Sequence, residues 1–303
     1  MLPKPKDAFR LVHISDVHCR VFPKNLFYCF NKRFKSFLRQ VFCSVDFQDV
    51  TICNRFPDLI RSLHTNSVCL TGDLTLTALH AEFSLARHFI DHLAQYAKIH
   101  LVPGNHDVYT KTSYQEQTFY HYFPNVRLQK NKVAKYRLTP DWWIILLDCS
   151  CLNGWFSANG KVFLSQIAAL ESLLRSIPQS ENIIIANHYP LLTSKKKFHT
   201  LLNNSLLQET LRDFPNIRLY LHGHDHQATL YANKDLSPGL ILNSGSISLP
   251  SNARFYIIDL YPQDYQVHTA VLTNLMNYEE PLNIKIETTW KSYKNLNAKK
   301  EGL

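Results

Sequence analysis

The chain has 303 residues, of which 45% are hydrophobic and 19% charged, a composition that excludes a disordered or fibrous protein and suffices for one large folded unit. Its formal net charge of +9 points to an anionic partner: a phosphorylated substrate, a nucleic acid or an anionic membrane surface. Seven cysteines, an odd number with no C-x-x-C pair, argue against a disulfide framework or a zinc ribbon.

In chain order, short apolar runs read as strands at residues 9–14, 67–70, 99–102, 142–147, 183–186, 217–221, 240–242 and 255–260. Helical spacing predicts helices over 56–64, 78–96, 162–176 and 201–214. The second is the clearest, with Leu79, Phe83, Ala86, Phe89, Ile90 and Leu93 at steps of three and four. Strands alternate with helices up to residue 222 and dominate afterwards. That order predicts an α/β fold with two packed sheets and helices outside, in one domain over 1–303. Residues 1–10 lack the apolar core of a signal peptide. No apolar run reaches the ~18 residues a membrane span requires.

Residues 21–44 break the alternation. They contain no acidic residue. Wound as a helix, they place Phe27, Phe30, Phe34, Phe37, Leu38 and Val41 on one face and Lys32, Lys35 and Arg39 on the other. An amphipathic segment with a purely basic polar face predicts contact with lipid or a membrane surface. A second basic stretch, Lys195-Lys196-Lys197, is read as facing an anionic head group or as a solvated loop. The tail, 278–303, carries Trp290, Tyr293 and several lysines, and is read as a second surface contact or a disordered end.

Five polar motifs follow strand runs: Asp16-Val17-His18, Gly72-Asp73, Gly104-Asn105-His106-Asp107, Asn187-His188 and Gly223-His224-Asp225-His226. Residues two apart in extended chain point the same way, so Asp16 with His18, and His224 with His226, can each reach one metal. Oxygen and nitrogen donors on strand-exit loops suit Mn, Fe or Zn better than Ca. Such a pair of ions serves phosphoester hydrolysis. Each motif alone is common; five in order are not.

The ordered set resembles the calcineurin-like metallophosphoesterase superfamily over residues 9–260. The resemblance implies a four-layer α/β/β/α sandwich and two divalent metal ions, with Mn2+ expected. It implies that Asp16, His18 and His226 hold one metal, that Asp73 bridges both, and that Asn105, His188 and His224 hold the second. His106 is then the catalytic residue facing the scissile phosphate. The chain lacks the G-D-x-x-D-R-G of the superfamily's protein phosphatases and carries Asp225 where Thr or Ser is frequent. Asp107 is a candidate for orienting His106 or, equally, a purely structural residue. His222 is read as a core or supporting residue and His13 as a core histidine.

The long insertion between Asp16 and Asp73, its basic aromatic character and the chain length are similar to the UDP-2,3-diacylglucosamine pyrophosphatases of lipid A biosynthesis. That similarity implies hydrolysis of an acylated nucleotide-sugar to 2,3-diacylglucosamine 1-phosphate and UMP. It also implies a peripheral location on the cytoplasmic face of the inner membrane. Substrate contacts are expected from Arg20, Phe34, Phe37, Lys195 and Lys196. The rival readings are a soluble phosphodiesterase acting on a cyclic nucleotide or other small phosphodiester, a nuclease, and a non-catalytic scaffold. No nucleic-acid module is recognised, and no nucleic-acid partner is expected.

Overall fold

The computed structural model describes residues 2–22, 32–34, 36, 47–126, 128, 131–192, 198–232, 237–277 and 279–292. Two six-stranded sheets pack face to face. The first holds β1 (Phe9–Ile14), β2 (Ser67–Leu70), β3 (Lys98–Leu101), β12 (Arg254–Leu260), β13 (Tyr265–Thr273) and β14 (Asn283–Lys291), in the order β14-β13-β12-β1-β2-β3. The second holds β4 (Val133–Thr139), β5 (Trp142–Leu147), β7 (Asn182–Ala186), β9 (Ile217–His222), β10 (Ala228–Ala232) and β11 (Leu240–Ser244), in the order β10-β11-β9-β7-β5-β4. Two short strands, β6 (Gly160–Lys161) and β8 (Leu201–Leu202), pair apart from both.

The period of two within each strand sorts its side chains into layers. On β5 and β7, Ile144, Leu146 and Ile184 enter the core between the sheets. Their neighbours Ile145, Leu147, Ile183 and Ile185 face α5 (Leu164–Arg175) and α6 (Asn204–Arg212). On β1, Leu11 points to the inter-sheet core, while Val12 and Ile14 pack under α1 (Asp49–Ser62) and α2 (His80–Leu93). Strands buried on both faces explain why these segments read as continuous apolar runs. The architecture is therefore the expected α/β/β/α sandwich. Two short helices, α3 (Lys111–Gln115) and α4 (Thr118–Tyr122), follow the third motif.

Some boundaries differ from the sequence reading. The helix expected over 56–64 begins earlier, at Asp49, and runs through Pro57. Strands β4, β10, β13 and β14 were not foreseen. The tail assignment needs correction in part: Asn283–Lys291 is an edge strand paired antiparallel with β13, and Trp290 stacks on Tyr265 at 5.3 Å. Residues 293–303 lie outside the described residues, as do Phe37, Lys195, Lys196 and most of 21–44. Among the described residues no helix is long and apolar enough to cross a membrane.

A buried ion pair locks the first sheet to the N-terminal segment. Arg10 Nε and Nη2 each donate to Asp259 across the β1–β12 pair, both at 2.8 Å, and Nη1 donates to the carbonyls of Leu2 and Leu63. Burial opposes ionisation of Asp259, but the Arg10 guanidinium outweighs it and holds the carboxyl below its ordinary value. The stability this contributes is complete above the ordinary aspartate range and is lost as pH falls through the lowered value. Asp259→Ala leaves Arg10 buried without its counter-charge and is expected to cost roughly 3–5 kcal/mol. Denaturant unfolding at neutral pH checks this, and a loss under about 1 kcal/mol would refute it.

Candidate dimetal site

All five motifs meet at one end of the paired sheets. Asp16, His18, Asp73 and Asn105 leave the C-terminal ends of β1, β2 and β3 in the first sheet. His188, His224 and His226 leave β7 and β9 in the second. The exits are sharp. Asp16, His18, Asp73, His224 and His226 have φ of 56°, 54°, 52°, 76° and 57°, a left-handed conformation that L-residues avoid. Surrounding hydrogen bonds hold them there. Asp16 and His18 donate their N–H groups to the carbonyls of Gly72 and Asp73 at 3.1 and 3.0 Å. Ser246 donates its hydroxyl to the Asp16 carbonyl at 2.7 Å. Strain sustained in this way is a mark of functional sites.

The donor atoms fall into two sets. In the first, His226 Nε2 lies 2.9 Å from His18 Nε2 and 3.1 Å from Asp16 Oδ1. Asp73 Oδ2 is 4.0 Å from His18 Nε2. One ligand atom from each of Asp16, His18, Asp73 and His226 lies within 4.8 Å of all the others. In the second set, His188 Nε2 lies 3.1 Å from Asn105 Oδ1, 3.1 Å from His224 Nδ1 and 3.4 Å from Asp73 Oδ2. Asp73 belongs to both. Asp16 Oδ1 is buried and accepts no hydrogen bond, despite the nearby imidazole nitrogens. Buried oxygen and nitrogen donors that converge this closely, with Asp16 Oδ1 left unsatisfied, fit a pair of cations. His188 Nδ1 donates to the Thr71 carbonyl at 2.6 Å, which turns Nε2 toward the site.

Charge supports the same reading. Burial opposes the carboxylates of Asp16 and Asp73, but neighbouring histidines hold both below their ordinary values. Burial likewise opposes a charged His188, yet the Asp73 carboxylate raises it to about 9. A ring held protonated must release its proton to ligate a metal. Metal affinity is therefore expected to rise with pH up to about 9, with protons released on binding. Calorimetric titration of Mn2+ in buffers of different ionisation enthalpy checks both, and an affinity independent of pH would refute the assignment of His188.

The profile of the family described as "Calcineurin-like phosphoesterase" matches residues 9–228. The chain belongs to the calcineurin-like phosphoesterase family. Its curated relatives include 3',5'-cyclic adenosine monophosphate phosphodiesterases. The one from Vibrio vulnificus is 26% identical over 177 residues, covering 56% of this chain and 57% of the relative. The one from Escherichia coli K12 is 26% identical over 163 residues, covering 53% and 54%. The chain thus spans little more than half of either relative. A dimetal phosphatase from Danio rerio superposes with a TM-score of 0.61 at 15% identity, covering 86% of this chain and 95% of that one. The yellow lupin purple acid phosphatase PPD1 gives 0.62 at 11% identity, covering 96% and 54%. These two show the shared fold.

The phosphoesterase's His106 sits beside the shared carboxylate, with its backbone N–H on Asp73 Oδ1 at 2.8 Å. Its ring Nδ1 donates to the Leu76 carbonyl at 2.6 Å. A carbonyl only accepts, so Nδ1 carries the proton and Nε2 is left for chemistry. Burial lowers this imidazole to about 4, against the opposing charge of Asp73. Asp107 does not orient the ring. Its carboxylate instead accepts from the N–H groups of Thr75 and Gly104 at 2.9 and 3.0 Å, tying the second and third motifs together.

The remaining candidates divide. His222 is buried with Nδ1 on the Gly223 carbonyl. His13 Nε2 pairs with Thr71 Oγ1 at 2.9 Å, and its ring stacks on Tyr256. Arg20 is held by Asp49 at 3.2 Å and by the Phe47 carbonyl at 2.6 Å. The Phe47 ring itself lies 4.9 Å from His18. Phe34 is exposed. Sequence reasoning missed His199, whose ring is 5.3 Å from His224, and the supporting groups Ser246, Thr71 and Leu76. Backbone carbonyls leave no trace in residue identity.

Proposed function

We propose that this phosphoesterase hydrolyses a phosphodiester bond in a small nucleotide substrate such as a cyclic nucleotide. The carrying observation is the two donor sets sharing Asp73, with His106 hung beside them. Asp16, His18, Asp73 and His226 would hold one divalent cation, and Asp73, Asn105, His188 and His224 the other, with Mn2+ the proposed metal. Bound there, the cations supply Lewis acidity to the phosphoryl group. With Leu76 holding the proton on Nδ1, His106 Nε2 carries a lone pair and would accept a proton beside the phosphoryl group, returning it to the leaving oxygen only after that uptake. The relatives that cleave cyclic adenosine monophosphate favour this substrate class.

A second reading has its own observation. Phe22, Phe34, Trp155, Phe156 and Phe198 are large exposed apolar side chains, Phe156 at 75%. Lys32 donates to the Ser157 carbonyl and Ala158 to the Phe198 carbonyl, which joins their three segments near His199 and His224. A greasy rim with basic neighbours fits an acylated nucleotide-sugar pyrophosphate, UDP-2,3-diacylglucosamine, presented at a membrane surface. Arg20, Phe34, Phe37, Lys195 and Lys196 would then contact substrate.

One experiment separates the readings. Mn2+-loaded protein is assayed on cyclic AMP, on bis-p-nitrophenyl phosphate and on UDP-2,3-diacylglucosamine in mixed vesicles. Cleavage of the two soluble esters with neglect of the lipid supports the first reading. Cleavage of the lipid with neglect of cyclic AMP replaces it with the second. Failure on all three sinks both.

A further inference from the structure

We propose that Lys32 and Arg33, on the basic insertion, are positioning residues for His106. The proposal rests on the phosphoester-hydrolysis reading above. The imidazole has two supports. One is Tyr109, whose ring stacks on His106 with centroids 5.1 Å apart and planes 17° from parallel. The other is the Leu76 carbonyl that accepts from Nδ1 at 2.6 Å. Each support is gripped by a neighbouring cation of the insertion. Lys32 Nζ lies 4.8 Å from the Tyr109 ring centroid, on its face, and donates to the Ser157 carbonyl at 3.0 Å. Arg33 donates to the carbonyls of Thr77 and Ala78 at 2.9 and 2.8 Å, immediately after Leu76.

The loop bearing Leu76 is fixed from its other side as well. Glu82 accepts from the N–H groups of Thr77 and Leu79 at 2.8 and 3.1 Å. A peptide pinned on both sides holds its carbonyl in place, and that carbonyl selects the imidazole tautomer. A cation over the Tyr109 ring holds that ring in place by attraction to its π-face, and the held ring fixes the plane of the imidazole stacked on it. Lys32 and Arg33 therefore set which nitrogen of His106 is left free, and where. Phe34, the next residue, is exposed, so a ligand or surface that engages it acts one residue from Arg33 and two from Lys32.

The test uses the full chain loaded with Mn2+ and the soluble ester bis-p-nitrophenyl phosphate, so that lipid binding plays no part. Lys32→Ala and Arg33→Ala are each expected to lower kcat by roughly 10- to 100-fold with KM within about twofold, as supporting residues do. Lys32→Arg, which keeps a cation over the ring, should restore kcat to within about threefold of the parent. In a His106→Gln background the same substitutions should cost nothing further, because their effect passes through that ring. Unchanged kcat, or an equal loss in the His106→Gln background, overturns the proposal. A second readout needs no turnover: imidazole 15N spectra of the metal-free protein. The parent should show His106 as the Nδ1–H tautomer and Arg33→Ala a mixture; identical spectra count against the proposal. If the parent cleaves no ester, the hydrolase reading falls and the spectra alone decide the positioning role.

Discussion

Asp73→Ala is expected to lower turnover by roughly a thousandfold or more while the protein stays folded. No other side chain stands in both donor sets: Oδ2 lies 3.4 Å from His188 Nε2 and 4.0 Å from His18 Nε2, while Oδ1 accepts the His106 N–H. Removing it would take the shared donor from both sets and unhook His106 at once. Stability of the metal-free protein should fall as well. The histidines around the buried Asp73 carboxylate, His188 first, outweigh the opposing charge of Asp16 and hold the carboxyl below its ordinary value. Deleting it leaves His188 without the counter-charge that raises it, so the metal-free variant should unfold earlier than the metal-free parent. Turnover, metal content and thermal unfolding, measured together, decide it. More than a tenth of parental activity would rule out the shared-ligand role.

Gly104→Ala is expected to cost on the order of a hundredfold in activity, although glycine has no chemistry to lose. A methyl group there would sit 2.6 Å from the Asp73 backbone nitrogen and against its carboxylate. The displaced partner is the shared ligand itself, and an ångström of misplacement suffices for that loss. Overpacking should add about 1–3 kcal/mol of destabilisation. Gly154 is the control, since nothing lies within 4 Å of a Cβ built there, and Gly154→Ala should leave activity unchanged. Equal activity in the two variants would show that the second and third motifs tolerate separation.

What the sequence made legible follows from burial. β5 and β7 are covered on both faces, so Trp142–Leu147 and Ile183–Ala186 stood out as unbroken apolar runs. β10 and β14 lie on exposed sheet edges, where polar and apolar residues mix, and they gave no such signal. The seven donor residues were readable because a metal demands particular side chains at fixed spacing after a strand. The orientation of His106 was not, because the group that sets it is the carbonyl of Leu76. The position of Asp107 allowed either an orienting or a purely structural role, and it spends its oxygens on backbone N–H groups of the adjoining loops.

The origin of the ligands in two different sheets has a mechanical consequence. Asp16, His18 and Asn105 hang from the first sheet and His188, His224 and His226 from the second, so occupied metal positions form a staple across the sandwich. Hydrogen bonds from His188 to the Thr71 carbonyl and from Ser246 to the Asp16 carbonyl already cross the seam at that end, and bound metals would add to them. Metal concentration then becomes a thermostat for the fold: at a hundred times the dissociation constant, each site adds about 2.7 kcal/mol against unfolding. A chelator should loosen the seam between the sheets first, and amide exchange on β7 and β9 should report it before the helices move.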